Sequence, residues 1–474
     1  MKIAFIHYHL KTGGVTTVLK QQLNAVSPPN EVLVLTGDPA ETRLDCDIVH
    51  LPELGYSTER KNVRGAAEIA RKILNAVRDR FGGPGDVLHI HNPTLAKNRQ
   101  FLEIIKSLKN EGANLLLQIH DLAEDGRPQA YFEDEYPSDC HYGVINQRDY
   151  RILLKAGLKE SGLHLMENAV SVPSGVRQTG TANSTVLYPI RAIRRKNIGE
   201  AVLLSQFFKP GQNLVVTLPP NSPEDLASYR SWKAFVNMQG LNVRFDYGLS
   251  CEFEDLMASA EYVIATSISE GFGFSFLEPW LFGKMLWGRK IDDICRYFET
   301  NGIQLQHLYT GLYVPVDWLD LNRLRERWSA CVLEACARFN YPIDHSRIKR
   351  AFESITKNGI IDFGLLDESF QKPAIARLLA DGASMSKLMQ LNSFLAQPGT
   401  TANPNEVIAA NRDAIMRHYS LQTYRSKLMH VYRQVSTTAV SQKIDKTMLI
   451  SFYLKPESFS LLKWSRYIQK CNEP

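Results

Sequence analysis

The sequence lacks an apolar run long enough to cross a bilayer, since a spanning helix needs about 20 consecutive, predominantly apolar residues. Its first apolar stretch, from Ile3 to Ile6, is short and leads directly into polar residues. A secretory leader is therefore not expected either. We predict a cytoplasmic protein and leave membrane contact open only for the lysine-containing amphipathic tail after Ser436.

The sequence is also poor in cysteine and in excess charge. Its seven cysteines are scattered, odd in number and without CxxC spacing, which argues against a disulfide framework and a zinc site. A net charge of +5 over 474 residues, without a dense basic patch, argues against nucleic acid as a partner. What remains is an ordinary globular composition in a chain long enough for two domains.

Strand-like and helix-like segments alternate in two successive series. The first begins with KIAFIHY and TTVLKQQLNAV, and the second begins with STVLYPI. Such alternation is typical of parallel sheets covered by helices. We predict an α/β protein of two facing Rossmann-like domains with a helical C-terminal extension. Because parallel sheets bind ligands at the carboxyl ends of their strands, the cleft between the domains is the predicted site.

Composition shifts predict the domain boundaries. Residues 1–180 form the first domain, which ends in a linker from Pro173 to Ser184 rich in Ser, Gly, Thr and Asn. Residues 181–415 form the second domain, with a helical insertion at about 320–400. Residues 416–474 form a separate, mostly helical C-terminal segment.

Histidines and glycines follow the first strand. Gly13 and Gly14 precede the first helix, where a closely approaching backbone and a helix N-terminus favour an anion. Their spacing is not GxGxxG, so the dinucleotide fingerprint is absent. Histidines at neighbouring strand ends leave a metallohydrolase site as an alternative; they are His7, His9, His89, His91 and His120.

Two loops that follow strands of the second series carry charge. ATSISEGFGFSFLEPWLFG places Glu270 before a predicted helix and Glu278 inside it, with glycines that permit close backbone approach. A carboxylate there can accept hydrogen bonds from the hydroxyls of a sugar or ribose. YPIRAIRRKNIGEAV places four cations before a helix, where they could neutralise a diphosphate; they are Arg191, Arg194, Arg195 and Lys196.

Arg191, four residues, Lys196, and then Glu270-GFGF-x3-Glu278 resemble the signature of retaining GT-B glycosyltransferases, in particular family 4. The opening GGV loop, DVLHIHN, LLLQIHD and ANRDAIMRHYSLQTY are similar to the same family. The resemblance spans roughly residues 1–290 and 405–434, whereas 291–400 and the tail after about 435 depart from it. It implies the GT-B fold, with an acceptor-side first domain, a nucleotide-sugar-binding second domain, and C-terminal helices from about 416 that cross back to the first.

The resemblance also implies a role for each matching residue. His120 would lie beside the donor sugar, Arg191 and Lys196 would stabilise the diphosphate, and Glu270 would bind hydroxyls of the transferred sugar. These four are the expected catalytic residues, and no metal or other cofactor is required if the two cations neutralise the charge. His9, His91 and Asn92 are expected on the acceptor side. The expected donor-binding set is Gly13, Gly14, Arg191, Lys196, Glu270, Gly271, Phe272, Gly273, Phe274 and, at the ribose, Glu278.

We therefore predict a retaining, metal-independent hexosyltransferase. The leading donor is UDP-glucose and the second is GDP-mannose, both implied by the resemblance. The acceptor is expected to be a small soluble sugar, polyol or glycerate derivative. Three alternatives remain: a lipid-linked or polymeric glycan acceptor, the His-ligated metallohydrolase, and a non-catalytic sugar-nucleotide-binding module. The sequence carries no indication of oligomeric state.

Overall fold

The computed structural model describes residues 1–11, 13–39, 44–57, 63–171 and 184–467. It divides into two compact units. Unit 1 comprises Met1–Ser171 and Arg417–Tyr453, and unit 2 comprises Val172–Met416 and Leu454–Pro474. Apart from Ser184, the predicted linker from Pro173 lies outside the described residues.

Unit 1 contains a seven-stranded parallel sheet. Its strands are β1 (Lys2–His7), β2 (Glu31–Thr36), β3 (Asp47–His50), β4 (Val87–His91), β5 (Leu115–Ile119), β6 (His141–Val144) and β7 (Leu163–Leu165). They lie in the order β3-β2-β1-β4-β5-β6-β7, so the direction of strand addition reverses between β1 and β4. The central strands are apolar and buried on both faces, as parallel strands covered by helices require.

Helices cover both faces of this sheet. They are α1 (Gly14–Val26), α2 (Val63–Phe81), α3 (Phe101–Asn110) and α4 (Gln147–Lys155). Ile73 of α2 and Ile105 of α3 belong to one apolar cluster, whereas Leu19 and Leu23 of α1 belong to another on the opposite face. The alternation of side chains along each strand supplies both clusters.

Unit 2 contains a second, smaller parallel sheet. Its strands are β8 (Thr185–Arg191), β9 (Asn213–Leu218), β10 (Val243–Arg244), β11 (Tyr262–Ala265) and β12 (Leu286–Gly288). They lie in the order β10-β9-β8-β11-β12, so the reversal falls between β8 and β11. A separate antiparallel pair consists of β13 (Tyr313–Pro315) and β14 (Ile360–Asp362). Two parallel sheets in two units confirm the predicted fold class.

Ten helices follow β8 among the described residues up to Tyr419, and the last of them crosses into unit 1 at Arg417. They are α5 (Ile198–Leu204), α6 (Pro223–Met238), α7 (Phe253–Ser259), α8 (Glu278–Leu281), α9 (Asp292–Thr300), α10 (Leu321–Arg338), α11 (His345–Ile355), α12 (Glu368–Ala380), α13 (Gly382–Leu391) and α14 (Pro404–Tyr419). Aspartate side chains cap α10, α11, α12 and α13, accepting a hydrogen bond from an amide of the first turn. Throughout the described ranges, no helix is both long and apolar enough to span a membrane.

The C-terminal segment contributes to both units. Helices α15 (Leu421–Thr437) and α16 (Lys446–Tyr453) belong to unit 1, and α15 buries Tyr424 and Tyr432 in its core. We expected all of residues 416–474 to return to the first domain, but α17 (Leu461–Trp464) belongs to unit 2. Its neighbours hold it there, since the indole of Trp328 donates to the Phe459 carbonyl over 3.1 Å.

Candidate active site

Two charged loops of unit 2 meet where its strand order reverses. One follows β8 and contains a 3₁₀ turn over Arg194–Lys196, and the other follows β11 and contains Glu270. Since β8 and β11 are neighbours, both loops emerge at the carboxyl end of the sheet. Open α/β sheets bind their ligands at such a switch point.

Side chains from β8 and from the loop after β11 hold the backbone carbonyl of Lys196. The Tyr188 hydroxyl donates to the Lys196 carbonyl over 2.5 Å, and the Thr266 hydroxyl lies 3.1 Å from the same oxygen. Asn197 then adopts a left-handed conformation, with φ 54°, which asparagine tolerates better than most residues. This bend ends the 3₁₀ turn and begins α5.

A buried network of polar side chains holds Asn197 in this left-handed conformation. The Asn197 side chain donates to Glu200 over 2.7 Å and accepts from Gln371 over 2.9 Å. Glu200 in turn accepts from Arg289 and from the hydroxyl of Tyr309, both at 2.6 Å. A buried carboxylate is stabilised only by such paired and hydrogen-bonded surroundings. The sequence pattern did not predict this network, because its members lie far apart along the chain.

Lys196 and Glu270 form an ion pair at the switch point. The distance from Nζ to Oε1 is 2.5 Å, and both side chains are largely buried, with exposed fractions of 15% and 9%. Burial alone would raise the pKa of Glu270. The charges of Lys196 and Arg195, together with hydrogen bonds from Lys196 and Ser267, outweigh burial and hold the pKa below its usual value. Glu270 is therefore ionised at neutral pH.

Glu278 lies in the same electrostatic field but remains without an ion pair or hydrogen bond among the described residues. It is the first residue of α8. Burial raises its pKa to about 7, and the charge of Lys196 opposes that rise only partly. A partly buried carboxyl group near a cation, with no hydrogen-bond partner among the described residues, is typical of a functional site.

The glycine-rich loop between the two glutamates is compact. Gly273 has φ 95°, and a Cβ there would meet Ile294 and Phe276 at 3.0 and 3.1 Å, so glycine is required on both grounds. The rings of Phe272 and Phe274 pack edge to face with centroids 4.9 Å apart. The helix predicted to contain Glu278 is confirmed as α8, which has four residues and is preceded by a 3₁₀ turn over Phe274–Phe276.

Serine hydroxyls of the same loop lack partners. The oxygens of Ser269 and Ser275 are buried and make no hydrogen bond to any described residue. Buried polar atoms are rarely left in that state unless a ligand or water satisfies them. Neither serine was singled out from the sequence, since isolated serines in a loop carry no distinctive pattern.

The four cations at the end of β8 and in the loop after it differ in their contacts. Arg191 donates to the Pro219 carbonyl and to the Asn221 side chain, 2.9 and 2.5 Å away. Arg194 donates two hydrogen bonds of 2.8 Å to Glu368 of α12, so its guanidinium already has an anionic partner within the protein. Arg195 lowers the pKa of Glu270, yet makes no hydrogen bond or ion pair through its side chain within the described ranges. The structure therefore brings Arg195 to Lys196 and Glu270.

Gly13 and Gly14 lie where the first strand of unit 1 leads into α1. Gly13 has an extended backbone, with φ 175°, and Gly14 is the first residue of the helix. A Cβ on Gly14 would meet no atom within 4 Å, and one on Gly13 only the Lys11 carbonyl at 3.9 Å. Neither glycine is thus required by local packing.

The predicted acceptor-side residues cluster at the switch point of unit 1. His91 Nδ1 and His120 Nε2 are 2.8 Å apart, and burial lowers the pKa of His120 to about 4. Asn92 has φ 49°, and its side chain accepts the backbone N–H groups of His120 and Asp121. His9 contacts the Tyr56 hydroxyl at 3.0 Å. Burial also lowers the pKa of His91, so the neutral rings of His91 and His120 can exchange hydrogen bonds with a sugar without carrying charge.

The histidines do not form the alternative metal site. Among the described residues, no group of three or more His, Cys, Asp or Glu side chains is arranged to hold a metal ion. His89 instead contacts the Tyr432 hydroxyl and the Gln118 side chain, each at 2.8 Å. It therefore belongs to the core that binds α15 to the sheet.

Comparison with known proteins identifies the architecture. No family model matches the sequence. A curated protein, mannosylglucosyl-3-phosphoglycerate synthase from Petrotoga mobilis, is 24% identical over an alignment of 487 positions, gaps included, that covers 92% of each chain. Sucrose-phosphate synthase from Thermosynechococcus elongatus matches with a TM-score of 0.53 and 15% identity, covering 91% of this chain and 98% of that one. Anabaena HepE, solved with UDP-glucose, matches with a TM-score of 0.54 and 13% identity over 91% and 99% of the two chains.

The chain has the GT-B fold. A glycosyltransferase from Rickettsia africae also matches it, with a TM-score of 0.54 at 10% identity over 92% of this chain and 98% of that chain. At these identities, the solved structures establish the fold alone. The similarity to the Petrotoga synthase along almost the whole chain adds support for glycosyltransferase activity.

Proposed function

We propose that the protein is a retaining, metal-independent glycosyltransferase of the family 4 type. It transfers a hexose from a nucleotide-diphosphate sugar, with UDP-glucose first and GDP-mannose second, to a hydroxyl of a small acceptor. The acceptor is a sugar, a polyol or a glycerate derivative. The similarity to a mannosylglucosyl-3-phosphoglycerate synthase along 92% of the chain supports the last of these.

The arrangement of Lys196, Glu270 and Glu278 carries this proposal. A lysine at the switch point provides a positive charge for a diphosphate, while two carboxylates beside it can accept hydrogen bonds from hydroxyl groups. A sugar nucleotide presents both kinds of group, with hydroxyls on the sugar and the ribose on either side of the diphosphate. In the proposal, Glu270 binds the sugar and Glu278 binds the ribose.

The chemistry that these groups supply is electrostatic. Breaking the bond between sugar and phosphate produces an oxocarbenium-like carbon and transfers an electron pair to the diphosphate oxygen. Lys196 stabilises the charge on that oxygen, and Arg195 is placed to add a second cation. We assign Arg191 to the same diphosphate, which requires its guanidinium to exchange its present partners, Pro219 and Asn221, for phosphate oxygens.

Further donor contacts are assigned to the glycine-rich loops. The backbone amides of Gly271, Phe272, Gly273 and Phe274 are proposed to contact the sugar, and those of Gly13 and Gly14 the diphosphate. His120 is neutral at pH 7 because burial lowers its pKa, so it can hydrogen-bond to a sugar hydroxyl without repelling an oxocarbenium-like carbon. His9, His91 and Asn92 are assigned to the acceptor.

A product assay tests the proposal. The protein is incubated with UDP-glucose or GDP-mannose and with glucose, glycerol, glycerate or 3-phosphoglycerate, and EDTA is present throughout. We expect acceptor-dependent release of the nucleoside diphosphate and an anomeric proton signal of the same configuration as in the donor. Product of inverted configuration would contradict retention. Tight nucleotide binding without release with any acceptor would favour the non-catalytic binding module.

A further inference from the structure

Four loops of unit 1 place basic and aromatic side chains at the carboxyl end of its sheet. They follow β1, β3, β4 and β5 and carry Lys11, Tyr56, Lys97 and Arg127, respectively. Backbone hydrogen bonds tie the loops together. The Ser57 amide donates to the Lys97 carbonyl over 2.9 Å, and the Ala96 amide donates to the Ala130 carbonyl over 2.8 Å.

Tyr56 lies at the centre of this group. Its ring is 57% exposed, which is unusual for so large an apolar surface. The Lys97 ammonium lies 5.5 Å from the ring centroid, and the Tyr56 hydroxyl is 3.0 Å from His9. An exposed aromatic ring flanked by a cation offers an apolar face for a small ligand and a charge at its edge.

The cations here are not all neutralised. Arg127 pairs with Asp121 at 2.8 Å, and Lys11 pairs with Asp38 at 2.9 Å. Lys97, by contrast, makes no ion pair or hydrogen bond through its ammonium group with any residue in the described ranges. Lys97 is exposed, yet the surrounding protein partly desolvates its ammonium group. This desolvation and the nearby charge of Arg127 lower its pKa, although Asp121 opposes the shift. Of these three cations, Lys97 is the one without an ion pair among the described residues, and Arg127 lies near enough to act on its pKa. An anion is the partner that such a charge favours.

We propose that Lys97 and Arg127 bind a phosphate or carboxylate group of the acceptor, with the Tyr56 ring against its carbon skeleton. This rests on the proposed function and narrows it to an anionic acceptor. The arginine fork and the lysine ammonium suit an oxyanion as partner, since both are hydrogen-bond donors only. A neutral sugar or polyol would leave the charge of Lys97 unpaired.

The test is calorimetric titration of the full chain with 3-phosphoglycerate at low ionic strength, with glycerol as the uncharged reference. The variants are Lys97→Met and, as a matched control, Lys159→Met. Lys159 is also an exposed lysine of unit 1, but it precedes β7 and therefore lies at the opposite end of the sheet. We expect wild type to bind 3-phosphoglycerate and not glycerol. Lys97→Met should weaken binding at least fivefold, and Lys159→Met less than twofold.

Each outcome separates this inference from the proposed function. Equal affinity of Lys97→Met and wild type for 3-phosphoglycerate would overturn the inference, and so would an absence of binding to wild type. The same preparations are then titrated with UDP and GDP, and unchanged nucleotide affinity in Lys97→Met supports a site separate from the donor. Lys97-dependent binding of 3-phosphoglycerate without binding of any nucleotide would overturn the glycosyltransferase while supporting the anion site.

Discussion

Lys196 and Glu270 form an ion pair across the switch point of unit 2, with Nζ and Oε1 2.5 Å apart. They are separated by 74 positions in the chain, and adjacent strands bring them together. Glu270 holds the ammonium group in place in the unliganded protein, so little reorganisation is needed when a diphosphate binds. This preorganisation is what makes a fixed charge effective in a partly dehydrated site.

Lys196→Ala should lower nucleoside diphosphate release by at least about 100-fold, because it removes the charge that stabilises the leaving group. It also leaves the buried Glu270 carboxylate without its partner, which should cost about 3 kcal/mol of the free energy of unfolding. The double variant Lys196→Ala/Glu270→Gln should recover stability but not transfer. Lys209→Ala, an exposed lysine of the same unit, is the control. Near-normal turnover in Lys196→Ala would contradict the assignment.

Glu278 should make nucleotide binding depend on pH around neutrality. Its pKa is about 7, and only the ionised carboxylate accepts hydrogen bonds from two ribose hydroxyls. Since about one tenth of the groups are ionised at pH 6, affinity at pH 6 should be about tenfold lower than at pH 8. In Glu278→Gln the tenfold change in nucleotide affinity that is due to this carboxyl group should disappear. Any pH dependence that remains in the variant comes from the titration of the nucleotide itself and can be subtracted. A pH profile identical in both proteins would exclude the ribose role.

The same group should affect unfolding. Because the folded-state pKa of Glu278 lies above the ordinary value of 4.5, the folded protein binds more protons than the unfolded chain between pH 4.5 and 7. The contribution of this group to stability is therefore greatest below pH 4.5 and is lost as the pH rises through 7. Denaturant titrations of wild type and Glu278→Gln across this range measure the difference. A difference that does not change with pH would argue against the raised pKa.

Gly14→Ala should reduce transfer without reducing the stability of the fold. A Cβ there enters open space at the first position of a helix, so the melting temperature should stay within about 2 °C of wild type. Transfer should nevertheless fall at least tenfold, because the methyl group occupies the space assigned to the diphosphate. Gly382→Ala is a matched control, since Gly382 begins α13 and also has open space at its Cβ. Equal activity of the two variants would remove Gly14 from the donor site.

Of the two arginines in the loop after β8, Arg195 should affect nucleotide binding and Arg194 should affect the stability of the fold. Arg195→Met should weaken binding of the nucleoside diphosphate about tenfold with little loss of stability, since its side chain makes no ion pair among the described residues. Arg194→Met should instead destabilise the fold, because it leaves Glu368 buried without its partner. Nucleotide titrations and melting temperatures of both variants test this division. The reverse pattern would show that Arg195 is structural and Arg194 available to ligand.

The fold was readable from the sequence because each central strand is a short apolar run followed by an amphipathic helix. KIAFIH and EVLVLT became β1 and β2, whereas the short strands β12, β13 and β14 were missed. Three residues carry too little periodicity to indicate a strand. The segment ATSISEGFGFSFLEPWLFG was expected to contain a helix with Glu278 inside it, and α8 is that helix. Its length of four residues and the 3₁₀ turn before it were not predicted.

The sequence predicted which residues belong to the candidate site, but it did not predict which of them contact one another. The cluster Arg191, Arg194, Arg195 and Lys196 is visible as charge, yet the pairing of Arg194 with Glu368 depends on a helix 174 positions away. The unpartnered Ser269 and the network of Asn197, Glu200 and Arg289 depend equally on tertiary packing. Local sequence patterns cannot encode such long-range partners.

The most direct test is calorimetric titration of the full chain with UDP, GDP and ADP in the presence of EDTA. We predict tight binding of one of these diphosphates, with UDP first and GDP second, and loss of that binding in Lys196→Ala. Such a result would identify the donor base and confirm that no metal ion is needed for binding. An absence of binding to all three, together with activity or stability that requires added zinc or manganese, would contradict the glycosyltransferase and return attention to the histidines of unit 1.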